Sequence, residues 1–309
     1  MKKLVCKNLT KDYGRGSKAL NKVNLSIPAE GIFALIGRNG AGKTTLTRIL
    51  STELMPTSGS AEIDGIDVVR DADKMREIVA VLPQESRAIS WMTPRQTVIS
   101  YLMYRGIGYA EAKSKADRAL ARVNMQKYAG RLNSRLSGGQ KRKVLVATVL
   151  ASEAPIIFVD EPTTGLDPIS RSELWEIFKR LKKDHFVFLT THYLEEAEKL
   201  ADRIGVLDEG RLKVVGSLDE IRKLVKYQYS IRILQKDKTV KIKEGEEIVG
   251  EDGYAQIMTT EKEADALSTR FIKEKIRFSI NPVSLDDIFY YLVKKPITED
   301  SGDEEDEEW

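Results

Sequence analysis

The chain has very little cysteine and histidine. Its 309 residues include one cysteine, Cys6, and two histidines, His185 and His192. A single cysteine excludes an intrachain disulfide and a zinc site built from several cysteines, which favours a reducing compartment. Two histidines also leave little scope for a metal centre built from imidazole ligands.

Long apolar runs are missing as well. The first 14 residues lack the apolar stretch of a signal peptide. The longest apolar run, VLVATVLA at 144–151, is well short of the roughly 18 residues that a membrane helix requires. We therefore expect a cytoplasmic protein, and any crossing of a membrane would be made by another polypeptide.

Negative charge is concentrated near one end of the sequence. The net charge is +3, but the segment 299–308 holds eight acids and no base, so the rest of the chain is basic. We predict a disordered acidic tail over 298–309, because such a segment cannot bury enough apolar surface to fold. The basic residues elsewhere are scattered without a basic-aromatic module, so no nucleic-acid partner is expected.

The first 222 residues alternate short apolar runs with helical patterns. GIFALIG at 31–37 predicts a buried strand, and the helical pattern KTTLTRILSTEL follows it after a glycine-rich loop. Further strands are predicted at 61–63, 78–82, 156–160, 186–190 and 204–207. The region from about 86 to 135 has helical periodicity, which predicts a helical insert in an α/β domain.

The pattern changes after residue 222. YQYSIRILQ, TVKIK, YAQIM and IRFSIN alternate as strands do, whereas EKEADALSTRFIKEK and SLDDIFYYLVKK have the spacing of helices. We predict a small α+β domain over 223–297. This segment contains no phosphate-binding loop, metal-ligand cluster or nucleophile pair.

The clearest motif is GRNGAGKT at 37–44, which matches G-x-x-x-x-G-K-[ST] and follows a predicted strand. Backbone N–H groups of such a loop surround the β-phosphate of a nucleotide. Lys43 is expected to reach the β- and γ-phosphates, and Thr44 to ligate Mg²⁺ through its hydroxyl. The predicted phosphate-binding residues are Gly37, Arg38, Asn39, Gly40, Ala41, Gly42, Lys43, Thr44 and Thr45.

Two acids follow a second apolar strand in PIIFVDEP at 155–162. Asp160 is predicted to lie near Mg²⁺, and Glu161 to orient or deprotonate the attacking water. Gln84 ends a further predicted strand and could contact the metal or the water. His192 follows the strand FVFLTT and is predicted to sense the γ-phosphate, whereas His185 lacks that context and is expected at the surface.

A second anion site is suggested by LSGGQKRK at 136–143. A Ser-Gly-Gly turn that opens a helix presents free N–H groups and the positive end of the helix dipole to an anion. Tyr13, in KDYG, could stack on an adenine ring, although an isolated aromatic near a turn more often serves packing.

In this order the motifs resemble those of the nucleotide-binding subunit of ABC transporters, from about residue 3 to 220. Besides the loop at 37–45 and the strand with Asp160 and Glu161, the resemblance includes LSGGQ (136–140), which is nearly diagnostic, and TTGLD (163–167). Arg38 departs from the family pattern, in which proline or serine is commoner. The implied fold is an α/β P-loop NTPase core with an antiparallel β subdomain and a helical insert, plus the small C-terminal α+β domain.

The resemblance implies an ATPase that uses ATP and Mg²⁺ and pairs head to tail, as a homodimer or with a related subunit. In the family, LSGGQ caps the γ-phosphate bound to the partner, which would involve Ser137, Gly138, Gly139 and Gln140. Tyr13 would then stack on adenine, and Asp167 would lie in the loop that communicates across the dimer.

The resemblance further implies a separate integral membrane permease, with this chain peripheral at the inner face of the membrane. The candidate residues for docking to it are Arg87, Trp91, Met92, Tyr101 and Tyr104, although Tyr101 and Tyr104 could equally pack the insert. The SLDDIFYYLV helix resembles the ending of ATPases from the drug- and lipid-export branch, which favours an exporter. An importer ATPase and a soluble ABC ATPase that acts outside transport are the alternatives.

Overall fold

The structure, a computed structural model, describes residues 2–14, 18–234, 247–249 and 254–294. The chain divides into two compact units, Met1–Ser217 and Leu218–Trp309. The predicted domain boundary, after residue 222, falls inside the helix Leu218–Lys223. This helix belongs to the second unit, where it packs against the helix Leu285–Lys294. Such tertiary packing is not visible in local sequence patterns.

The first unit contains two sheets and the helices around them. Its described strands are β1 (Lys3–Asp12), β2 (Lys18–Pro28), β3 (Ile32–Ile36), β4 (Ser58–Ile63), β5 (Ile66–Asp67), β6 (Val79–Leu82), β7 (Ile156–Asp160), β8 (Phe186–Thr191), β9 (Arg203–Asp208) and β10 (Arg211–Gly216). Its helices are α1 (Lys43–Leu50), α2 (Ala72–Ile78), α3 (Pro94–Tyr104), α4 (Tyr109–Arg122), α5 (Gly138–Ala151), α6 (Pro168–Leu181) and α7 (Leu194–Leu200), with 3-10 turns at Gln126–Tyr128 and Asn133–Arg135.

The larger sheet has the strand order β10-β9-β3-β8-β7-β6, in which only the pairing of β10 with β9 is antiparallel. Strands β3, β7 and β8 are buried along their whole length, as the strands of a parallel sheet covered on both faces usually are. Ile36 is paired in register with Thr191, and Asp160 with Thr190. The carboxyl ends of these strands therefore lie level at one edge of the sheet, where ligands of α/β proteins bind.

The smaller sheet is antiparallel, with the order β2-β1-β4-β5, and it shares one apolar core with the larger sheet and α1. The ring of Phe188 lies 5.2 Å from that of Phe33 and 5.5 Å from that of Phe158. Leu46 and Ile49 of α1 belong to the same core. This packing fixes the start of α1, which follows the phosphate-binding loop.

The helical insert consists of α3 and α4, which pack on each other and on α5. Thr93 caps the start of α3, and its side chain accepts a hydrogen bond from the backbone N–H of Gln96 in a capping box. The buried Asn133 donates from Nδ2 to the Ile89 carbonyl and to the Thr97 hydroxyl, at 2.9 Å in both cases. The loop that precedes LSGGQ is thereby tied to the insert.

The second unit is a small α+β fold. The elements described in it are α8 (Leu218–Lys223), β11 (Tyr229–Leu234), β12 (Glu247–Val249), β13 (Tyr254–Thr259), α9 (Glu261–Lys273), β14 (Phe278–Pro282) and α10 (Leu285–Lys294). The antiparallel order is β12-β13-β11-β14, over a core that includes Ile231, Ile257 and Phe271. The predicted strand TVKIK and the acidic tail 298–309 lie outside the described residues.

The architecture confirms the predicted fold class, an α/β core with an antiparallel β subdomain, a helical insert and a small α+β unit. Throughout residues 2–14, 18–234, 247–249 and 254–294, no helix combines the length and the apolar character needed to cross a membrane.

The predicted surface position of His185 is wrong. His185 is buried, and its Nδ1 lies 2.8 Å from the Ala154 carbonyl oxygen. His185 directly precedes β8, and Ala154 lies just before the start of β7, the strand that pairs with β8. Its lack of a strand-end context in KKDHF suggested exposure, but tertiary packing decides its burial.

Cys6 provides a test of this packing. Burial raises the pKa of the Cys6 thiol from its ordinary value of 9.0 to about 12. At pH 8 the thiolate fraction should therefore be roughly a thousandfold lower in the folded chain than in the unfolded one. We expect Ellman's reagent to label Cys6 slowly in native buffer and within seconds in urea. Equal labelling rates in the two conditions would contradict the buried position in β1.

Candidate active site

The phosphate-binding loop connects β3 to α1 and turns around the Lys43 side chain. Lys43 is 4% exposed, and its Nζ donates to the carbonyl oxygens of Gly37 at 2.9 Å and of Arg38 at 3.1 Å. Gly42 caps α1 with a left-handed φ of 105°, a conformation that glycine adopts without strain. A Cβ atom at Gly42 would meet the Ala19 carbonyl oxygen, so β2 approaches the loop too closely for a side chain.

The carboxylate of Glu161 is the centre of the site. Glu161 is 7% exposed, and its Oε1 lies 3.3 Å from Lys43 Nζ. Its Oε2 lies 2.9 Å from His192 Nδ1 and accepts hydrogen bonds from Gln84 Nε2 at 3.3 Å and from Thr164 Oγ1 at 3.2 Å. One side chain thus contacts the predicted phosphate-binding lysine and the predicted Gln84 and His192.

The backbone at Glu161 has an unusual conformation. Its φ of +44° lies in the left-handed region, which costs a non-glycine residue of order 1–3 kcal/mol and persists where the surroundings determine it. The Glu161 N–H donates to the Thr190 carbonyl at 3.1 Å and to the Thr190 hydroxyl at 3.2 Å. The same hydroxyl donates to the carboxylate of Asp160. Thr190, which sequence reasoning missed, therefore holds both acids from the adjacent strand.

The three predicted metal ligands line one pocket. Thr44, Gln84 and Asp160 face a cavity of about 180 Å³ beside the phosphate-binding loop. Their hydroxyl, amide and carboxylate groups supply oxygen donors, which Mg²⁺ prefers over nitrogen and sulfur. The side chains present at this site therefore fit the ion that the sequence predicts.

The LSGGQ residues have structural roles within this chain. The Ser137 hydroxyl accepts from the Gln140 N–H at 3.3 Å, and Gln140 Oε1 accepts from the Ser137 N–H at 3.1 Å, which forms the capping box of α5. Gly139 is buried against the Ser170 side chain, with no room for a Cβ atom. Ser137 and Gln140 line a cavity of about 380 Å³, which is separate from the pocket of Thr44 and Asp160.

Most of the remaining predicted site residues lie on the surface, but Gly37 and Ala41 of the phosphate-binding loop are buried and Thr45 is partly buried. Asp167 caps α6 by accepting from the N–H groups of Ile169 at 3.1 Å and of Ser170 at 2.9 Å. A hydrogen bond from the Ser170 side chain, followed in effect by these backbone bonds, lowers the pKa of Asp167. Tyr13 is exposed, with Lys11 Nζ 5.3 Å from its ring centre. Arg38, Asn39, Gly40 and Gly138 are also exposed.

The candidate docking residues differ in exposure. Trp91 and Tyr104 are 75% and 93% exposed, so neither packs the insert. Arg87 is exposed and Met92 is partly buried. Tyr101 is partly buried, and its hydroxyl lies 3.5 Å from Arg105 Nη1, so it contributes to the structure of the insert.

Sequence reasoning also missed two buried charges behind the site. Arg142, in the basic run after LSGGQ, donates to backbone carbonyls around Glu161. Glu196 of α7 accepts from Thr163 Oγ1 and Trp175 Nε1, both at 2.9 Å, and desolvation raises the pKa of its carboxyl. For Arg142 and for Glu196, the only indication in the sequence was the position of a charged residue on the apolar side of a helical pattern.

Known proteins of one family are similar to this chain. The family model described as ABC transporter matches residues 20–164. The daunorubicin resistance ATP-binding protein DrrA3 of Streptomyces coeruleorubidus is 39% identical over 213 residues, which cover 69% of this chain and 67% of that protein. ABC transporter A family member 7 of Dictyostelium discoideum is 35% identical over 236 residues, which are 76% of this chain but 28% of that much longer protein.

Solved structures share this fold over more than two thirds of the chain. A dimeric post-hydrolysis state of the ATP-binding cassette MJ0796 with ADP and Pi matches with a TM-score of 0.62 and 28% identity, over 70% of this chain and 98% of that one. The cassette cbiO1 from Clostridium perfringens, part of the complex cbiONQ, matches with a TM-score of 0.64 and 29% identity, over 72% of this chain and 93% of that one.

The fold and the strand-end site therefore define an ABC-type nucleotide-binding domain. The chain belongs to the ABC transporter family, with relatives among the A family members and the DrrA drug-resistance proteins. It is an ATPase domain, since ATP hydrolysis is the general activity of that family.

The two glycines of the loop give a matched pair of variants. A Cβ at Gly42 would overlap the Ala19 carbonyl, whereas a Cβ at Gly40 would meet no atom within 4 Å, although both residues have positive φ. Gly40→Ala should cost about 1–2 kcal/mol of stability from φ alone. Gly42→Ala should cost a further 1–3 kcal/mol or so, measured by urea unfolding. Equal losses in the two variants would contradict the close approach of β2.

Proposed function

We propose that this chain is the ATP-hydrolysing subunit of an ABC exporter and acts with a separate membrane-spanning permease. The observation that carries the proposal is the convergence of Lys43, Gln84 and His192 on the Glu161 carboxylate. An export role is supported by the 39% identity to a protein named for daunorubicin resistance. The strand-helix ending of the second unit, with α10 over LDDIFYYLVK, supports the same branch.

In the proposed reaction, Lys43 exchanges its contact with Glu161 for the β- and γ-phosphates of ATP. Glu161 then accepts a proton from water as the water oxygen attacks the γ-phosphorus. The bond from the γ-phosphorus to the bridging oxygen breaks, and ADP and phosphate leave. His192, which lies 2.9 Å from the carboxylate, would hold the γ-phosphate. Thr44, Gln84 and Asp160 would hold Mg²⁺, which neutralises phosphate charge when bound.

The active form is proposed to be a head-to-tail dimer, a homodimer or a pair with a related subunit. Ser137 and the phosphate-binding loop line separate cavities in one chain, so Ser137 would serve the nucleotide of the partner. The dimeric state of the MJ0796 cassette with ADP and Pi supports this arrangement. Because Glu161, His192 and LSGGQ occur together in this sequence, both sites of a homodimer would be competent.

The permease is proposed to contact the exposed part of the helical insert. Trp91 and Tyr104 are large side chains without cover from the described part of the chain, and such residues often anchor interfaces. The cbiO1 cassette is part of a larger transporter complex, which supports a multi-subunit assembly. This chain would then lie at the cytoplasmic face of the membrane.

Replacement of the central carboxylate tests the ATPase mechanism. Glu161→Gln should lower kcat for ATP by roughly 10²–10⁴-fold, because the amide cannot accept the proton, while titration calorimetry still detects ATP binding. Glu153→Gln is the matched control, since Glu153 pairs with Lys115 and Arg118 on the surface. A Glu161→Gln chain with kcat near that of the wild type would refute the assigned base.

The transporter assignment is tested by co-purification from detergent-solubilised native membranes. The tagged chain should recover a multi-span membrane protein in roughly equal amount. Trp91→Ala/Tyr104→Ala should lower the recovery by about tenfold or more, whereas Ile272→Ala, an exposed control in α9, should not. Recovery of ribosomes or nucleic acid instead would contradict a role in transport.

A further inference from the structure

A buried cation lies behind the catalytic edge of the sheet. Arg142 belongs to α5, the helix that Ser137 caps, and it is 9% exposed. Burial lowers the pKa of Arg142 to about 10, and the charges of Asp160 and Glu196 oppose this shift. The guanidinium therefore stays charged at neutral pH, and a buried charge requires acceptors close to it.

Those acceptors are backbone carbonyls of the two segments that carry Glu161 and Gln84. Arg142 Nε donates to the Pro162 carbonyl at 2.7 Å. Longer bonds run from Nη2 to the carbonyls of Glu161 at 3.3 Å and of Asp160 at 3.4 Å, and from Nη1 to the Gln84 carbonyl at 3.4 Å. One side chain thus joins α5, called the signature helix from here on because LSGGQ lies at its start, to both segments.

The convergence of three consecutive carbonyls requires a sharp turn of the backbone. Along a strand, successive residues face opposite directions, so the carbonyls of residues 160 to 162 would not all meet one group. They do so here because Glu161 leaves β7 with a φ of +44°. A planar guanidinium with five donors can bind several carbonyls at once and so favour this turn, which a lysine ammonium cannot do in the same geometry.

The neighbouring residue offers a contrast within the same helix. Lys143 is also buried, but its Nζ forms an ion pair with Glu173 of α6 at 2.6 Å. Among the contacts described for Lys143, none reaches residues 160–162 or Gln84. Replacement of Lys143 therefore removes a buried cation from α5 without removing a support of Glu161.

We propose that Arg142 is a positioning residue for hydrolysis, which sets the backbone at Glu161 and Gln84 according to the position of the signature helix. This inference rests on the proposed function, in which Ser137 of the same helix binds the nucleotide of the partner. A shift of α5 on contact with that nucleotide would reach the Glu161 of its own chain through Arg142, since the coupling runs through a continuous set of contacts.

The test is steady-state ATP hydrolysis by the full chain and five variants: Arg142→Lys, Arg142→Gln, Lys143→Met, Glu161→Gln and Arg142→Lys/Glu161→Gln. Titration with ADP gives the fraction of folded sites, and kcat is expressed per site. Arg142→Gln provides a second replacement that keeps two N–H donors. We expect Arg142→Lys and Arg142→Gln to lower kcat by about 10–100-fold with KM within about threefold, and Lys143→Met to stay within threefold of the wild type.

The double variant separates positioning from general destabilisation. If Arg142 acts through Glu161, Arg142→Lys should cause a much smaller loss of kcat in the Glu161→Gln background than in the wild type, and what remains would be its effect through Gln84. Independent losses that multiply, or wild-type kcat in the Arg142 variants, would overturn the inference. A wild-type chain without ATPase activity would contradict the proposed function together with this inference, whereas an active wild type and an Arg142→Lys chain of equal kcat would contradict the inference alone.

Discussion

The contact between Lys43 and Glu161 organises the site. Two buried side chains of opposite charge lie 3.3 Å apart, and neither could remain buried and charged without its partner or an equivalent. The pair joins the phosphate-binding loop to the end of β7, and further contacts of Glu161 bring in Gln84 and His192. In this state the lysine and the proposed base neutralise each other.

An incoming polyphosphate changes this balance. Its negative charge competes with Glu161 for Lys43, so binding of substrate would release the carboxylate for its role as base. Glu161 then remains held at Oε2 by Thr164, while its backbone stays fixed by Thr190 and Arg142. The proposed mechanism therefore makes availability of the base depend on occupancy of the loop, which limits reaction to chains that hold ATP.

The sheet makes these contacts possible. Strands β3, β7 and β8 end level because their pairing is parallel and in register. The residues that follow them therefore meet at one edge, although they are far apart in sequence. The aromatic contacts of Phe188 with Phe33 and Phe158 hold the same three strands together in the core. The rigidity of the site follows from that of the sheet.

Local patterns predicted most of this arrangement. Glycines after an apolar run indicated the phosphate-binding loop, and acids at a strand end indicated Asp160 and Glu161, because these features are contiguous in sequence. Contacts between distant segments were not predictable: Thr190 reaches Asp160 across neighbouring strands, and Arg142 reaches backbone atoms that carry no sequence signature. The burial of His185 was missed for the same reason.

The most direct test of the account is complementation between two inactive variants. Lys43→Ala lacks the phosphate-binding lysine, and Ser137→Arg blocks the LSGGQ segment, so each chain alone should be inactive. In a head-to-tail dimer, one mixed site combines an intact Lys43 with an intact Ser137. An equal mixture should therefore regain about a quarter of the wild-type ATPase activity, because half of randomly paired dimers are mixed and each has one intact site. A mixture as inactive as its components would contradict a site shared between two chains.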